Sequence, residues 1–128
     1  MRQAGFTLLE MIVVLAILGL ATAIVTPSLL RGIDSWQRQS ELDSVLDQVR
    51  ALPGNARGSG RLIVVSNETL ASGAPPLRVG ADWTLQVPST WRVHANGVCQ
   101  GGEVRIGNAY GTRTVEVAPP FCDPVVRP

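Results

Sequence analysis

Few side chains in this sequence could do chemistry, and their spacing limits what that chemistry could be. There is one imidazole, His94, and there are two thiols, Cys99 and Cys122. A structural zinc site takes four ligands, so His94 with Cys99 makes no metal centre. His94 alternates with Val93 and Ala95 and shares its parity with Arg92 and Asn96, which predicts that it faces solvent. No serine or cysteine can be joined to this histidine and an acid as nucleophile, base and orienting group without arbitrary choice. Gly58-Ser59-Gly60 lacks both the lysine and the preceding strand of a phosphate loop. Asn67-Glu68-Thr69 is a glycosylation sequon, which matters only in a compartment with that machinery. The expectation is a protein with no catalytic residue, no metal and no cofactor.

The residue that calls for an explanation is a carboxylate. Glu10 is the only charge between Phe6 and Leu30, in FTLLEMIVVLAILGLATAIVTPSLL. As a helix this run would measure roughly 37 Å, enough to cross a hydrocarbon core of about 30 Å. Leucine, isoleucine, methionine and alanine dominate it, and in lipid a single segment must satisfy its own backbone as a helix. A carboxylate inside such a run costs roughly 2.5–3.5 kcal/mol on insertion scales.

The elements that must position these residues follow from the pattern of the whole chain. At 128 residues and 13.6 kDa there is room for one domain with an appendage. Eleven basic residues, all arginine, against ten acidic ones give a net charge of +1, without the basic footprint of a nucleic-acid binder. Beyond Leu30 the pattern becomes amphipathic, with Leu42, Val45, Leu46, Val49 and Leu52 on one stripe and Glu41, Asp43, Asp47 and Arg50 opposite. The spacing predicts one long helix from about Phe6 to Leu52, bent at Pro27 and stopped by Pro53-Gly54. Asp34 and Arg38 form a favourable i,i+4 pair on it. The segments 61–66, 83–87, 91–95, 103–106 and 114–118 read as five short strands, four of them by strict alternation, with 67–82 as a loop. A sheet this small needs a partner, and the 42–52 stripe is the candidate. Trp83 and Trp91 fit the alternation as core residues, and Trp36 fits either an interfacial anchor or subunit packing. Cys99 and Cys122 would form a structural disulfide in an oxidising compartment, and buried reduced thiols otherwise. The predicted fold is α+β, a long partly transmembrane helix packed against a small antiparallel sheet.

Three readings compete for the N-terminus. A secretory signal peptide would be cut after Ala23, at the small-x-small site Ala21-Thr22-Ala23, and release a soluble binding domain. A plain signal anchor would stay in the membrane. Neither accounts for Glu10. The third rests on Gly5-Phe6-Thr7-Leu8-Leu9-Glu10 followed by the apolar run, which closely resembles the N-terminus of type IV pilins and pseudopilins. The resemblance covers residues 1 to about 30. It implies cleavage between Gly5 and Phe6 by prepilin peptidase, methylation of the new Phe6 amine, and retention of the apolar helix. It also implies that Glu10 pairs with the Phe6 amine of a neighbouring subunit, setting the register of helices in a filament core. Gly19 and Pro27 lie where such helices commonly loosen in assembled filaments, although close helix packing and a plain kink explain them equally well.

The later sequence narrows the resemblance further. Val49 to Arg61 (VRALPGNARGSGR) leading into Leu62-Ile63-Val64-Val65, and Trp91 to Ile106 (WRVHANGVCQGGEVRI), resemble H-type minor pseudopilins of type II secretion. Minor pilins that help to start type IV pili share this domain, so a minor pilin of a type IV pilus or DNA-uptake pilus is the alternative within the family. The sequence departs from the major G type, for no acidic calcium loop lies near the C-terminus and Asp123 is the only carboxylate after Glu116. Glu10 argues against the tip-capping K type. The implied organisation is a leader (1–5), a transmembrane and filament-core helix (6–30), its amphipathic continuation (31–52) and a periplasmic β-rich domain (53–128). The implied partners are other pseudopilins, prepilin peptidase, the inner-membrane secretion platform and an exported cargo, with no nucleic acid.

Overall fold

A computed structural model describes residues 4–128. The chain divides into two compact units, one ending at Arg38 and one running from Gln39 to Pro128. Helix α1 (Leu8–Ser59) contributes to both. In the first unit every described residue is exposed. Helix formation there needs no tertiary partner, because the residues from Leu8 to Leu30 are mostly strong helix formers without a glycine or proline run. The helical conformation continues through Pro27. Proline has no N–H to offer the carbonyl of Ala23, and one residue earlier the Thr26 hydroxyl donates to the Thr22 carbonyl at 2.6 Å. Further on, the Arg38 Nε donates to the Asp34 backbone carbonyl at 3.2 Å.

The second unit holds the core. Val45, Val49 and Leu52 are fully buried, and Leu42 and Leu46 pack at the margin, as the stripe requires. The helix does not stop at Pro53-Gly54 but continues to Ser59, seven residues beyond Leu52. The apolar stripe explains the correction, because Pro53 and Ala56 extend it and are themselves buried. Proline at 53 forfeits one hydrogen bond to the Val49 carbonyl, while burial of the extended stripe favours continuing the helix. The terminator is Gly60, whose φ of +65° is the left-handed conformation that closes helices at glycine.

Six strands follow, in two antiparallel sheets. Strand β1 (Ile63–Val65) pairs with β3 (Trp91–Val93), with Val64 opposite Arg92. The larger sheet has the order β2-β4-β5-β6, formed by Thr84–Gln86, Gly102–Asn108, Gly111–Ala118 and Asp123–Arg127. Strand β6 has no counterpart among the five expected strands, and it carries Pro124. It occupies the sheet edge, where a proline is tolerated. Helix α2 (Asn67–Leu70) replaces the start of the expected 67–82 loop. Its capping box is built by Ser66 and Thr69, each side chain accepting from the other's backbone N–H.

Val104, Ile106, Val115 and Val117 point inward from the larger sheet, and Val65, Trp91 and Val93 from the smaller one. With the helix stripe they make one core, each large side chain contributing about 1.5–3 kcal/mol on burial. Trp91 is fully buried and Trp83 half-buried, as core residues. Ala95 departs from the expected alternation and is exposed, because the chain turns at Asn96-Gly97 directly after β3. Gly102 is required where it stands. A Cβ there would lie 2.2 Å from Cδ1 of the buried Trp91 ring.

The long connection between α2 and β2 is held to the rest of the unit by side chains acting as pieces of strand. Gln48 accepts from the Arg78 N–H at 2.7 Å and donates to the Arg78 carbonyl at 2.9 Å. Asn67 does the same for Val87, at 2.8 and 3.1 Å. The Glu41 carboxylate accepts from the Gly80 N–H at 2.8 Å. Leu77, inside this connection, is buried in the core.

Candidate functional site at the N-terminus

The residues singled out by sequence lie at the entry to α1. Gly5 and Phe6 precede the first helical turn in irregular backbone, and both are exposed, Phe6 at 74%. A Cβ at Gly5 would meet nothing within 4 Å. The peptide bond between them is therefore open on all sides, the condition a peptidase needs to grip extended chain. Of the expected leader, Met1, Arg2 and Gln3 lie outside the described residues.

Thr7 begins the helix as its cap. Its hydroxyl accepts from the Glu10 N–H at 3.2 Å, and its carbonyl receives the Met11 N–H at 3.2 Å. Thr7-Leu8-Leu9-Glu10 thus has the residue order of a capping box, and it places Glu10 in the first turn. A carboxylate there is favoured by the positive end of the helix dipole. Glu10 is exposed and surrounded by exposed apolar side chains, including Leu8, Leu9 and Met11. A helix long and apolar enough to span a membrane carries it.

The two cysteines and the histidine belong to the second unit. Cys99 and Cys122 are joined in a disulfide, with Cα atoms 5.4 Å apart and both residues buried. The Cys99 N–H donates to the Pro120 carbonyl at 2.8 Å, so the bridge is embedded in backbone pairing. His94 is exposed beside the Asn96-Gly97 turn, where its N–H donates to the Val98 carbonyl. Among the described residues no group of three or more histidine, cysteine or acidic side chains could hold a metal ion. Trp36 is 83% exposed.

Residues 1–26 match the family described as the prokaryotic N-terminal methylation motif. No curated protein and no solved structure matches the chain. The N-terminal segment is a type IV pilin-like prepilin signal. Joined to a long apolar helix and small antiparallel sheets, it gives the chain the plan of a pilin-like structural subunit. Such a signal implies processing by prepilin peptidase and assembly with other pilin-like subunits.

Proposed function

We propose that this protein is a minor pseudopilin of H type, a subunit of the short periplasmic pseudopilus of type II secretion. The observation that carries the reading is the union of one exposed apolar helix with the Gly5-Phe6-Thr7-Leu8-Leu9-Glu10 signal at its start. In this reading, residues 1–5 are removed and Phe6 becomes a methylated N-terminus. Residues 6–30 anchor the monomer in the inner membrane and later pack in the filament core. Residues 31–52 continue the helix, and residues 53–128 stand in the periplasm. Glu10 docks on the Phe6 amine of a neighbour, and Pro27 lets the helix bend as it passes from bilayer to filament. The Trp91–Ile106 stretch supports the H type, supplying a strand, a glycine-rich turn and a second strand in succession.

Intact mass of the membrane-extracted protein tests the proposal. A chain beginning at methylated Phe6 is expected. A chain beginning at Ile24 would overturn it in favour of a secreted soluble domain. Neighbouring genes for an outer-membrane secretion channel, rather than for a retractable pilus, are the expected mark of type II secretion.

A further inference from the structure

Charge in the second unit is balanced in total but segregated in space. Between residues 39 and 128 there are eight arginines and eight carboxylates. No carboxylate lies between Gln48 and Asn67, or between Trp83 and Gly102. These two stretches form the end of α1, β1 and the turn after β3, and they meet. The Arg57 side chain lies across that turn, with Nη1 3.0 Å from where a Cβ on Gly97 would sit. Residues preceding Ile63 and following Val93 emerge at the same end of the two-stranded sheet, which brings Arg61 and Leu62 beside His94. Arg92 stands on the same face of β3 as His94, opposite Val64. Arg57, Arg61, Arg92 and His94 are all exposed, and so are Leu62 and Val98. Among the described residues no carboxylate lies within 4.0 Å of any of these three arginines.

We propose that this corner of the domain is a docking surface for an acidic segment of another protein. Guanidinium groups match carboxylates with a planar fork, and exposed Leu62 and Val98 add apolar area to the contact. A second copy of this chain is a poor donor of that acid. Five of the eight carboxylates are already engaged: Glu41 with the Gly80 N–H, Asp43 with Gln39, Asp47 with Arg50, Glu103 with Arg105, and Glu116 with Arg127. Nucleic acid is disfavoured because the nearest tryptophan, Trp91, is buried and offers no stacking face, and because the unit has no net charge to attract a polyanion.

The test uses the full chain in detergent micelles and a labelled peptide of alternating glutamate and leucine. Saturable binding is expected, weakening as salt rises. Arg57→Glu with Arg92→Glu should weaken it about tenfold or more, a difference of about 1.4 kcal/mol. Arg92→Gln alone, at an exposed strand position, should give a smaller loss and guards against a folding defect in the double variant. Arg78→Glu with Arg113→Glu, two exposed arginines elsewhere that also lack an ion pair, should leave binding unchanged. Absence of saturable peptide binding would overturn the proposal, as would equal loss in the control variant. Tighter binding of a single-stranded oligonucleotide or of phosphatidylglycerol vesicles at the same corner would overturn it too, in favour of a nucleic-acid or membrane contact.

Discussion

The unit ending at Arg38 and the unit beginning at Gln39 are made by opposite uses of apolar side chains. The first exposes every one described, from Phe6 through Trp36. The second encloses Val45, Val49 and Leu52 from the same helix within a core shared with both sheets. What separates the two halves of this helix is whether apolar residues surround the axis or keep to one stripe. A helix apolar all round relies on lipid or neighbouring helices to cover it, whereas the striped half brings its cover along the same chain.

Substitutions should divide along this line. The largest effect is expected from Gly102→Ala, whose added methyl would collide with the fully buried Trp91 ring at 2.2 Å. It should destabilise the second unit by about 3 kcal/mol or more in thermal or urea melting, while membrane retention of the chain is unchanged. Replacing Cys99 and Cys122 together by serine opens a bridge between residues 23 apart in sequence. The expected loss is roughly 2–4 kcal/mol, again confined to the second unit and read by melting with and without reductant. Glu10→Leu sharpens the comparison from the other side. It should leave melting of the second unit within about 0.5 kcal/mol, because Glu10 belongs to the first unit. The chain should still insert in membranes, but crosslinking to other pilin-like subunits should fall sharply. Unchanged crosslinking would remove Glu10 from assembly.

What was legible in the sequence follows the same division. The apolar run, its single acid and the stripe from Leu42 to Leu52 depend on local pattern, and each appears as an element or a buried face. The end of α1 is not legible from Pro53-Gly54, because Ala56 continues the buried stripe one turn further. Helix α2 escaped because its capping box uses threonine where glutamate or glutamine is usual, and because it is only four residues long. Strand β6 escaped for a different reason. A proline strand becomes plausible only once it is known to lie at an edge, and edges are set by pairing across the whole sheet. The division into two sheets belongs to the same class, since alternation assigns faces to residues without choosing neighbours. At the N-terminus the motif over residues 1–26 is legible by pattern, because the segment is local and does not depend on packing.

The amide bracket by which Gln48 grips residue 78 acts on the peptide unit and ignores the side chain attached to it. Asn67 treats residue 87 the same way. Arg78 is exposed, so its identity is free to drift over generations without moving the loop that displays it. A lineage could therefore repaint this stretch of surface for new neighbours while the scaffold beneath stays put.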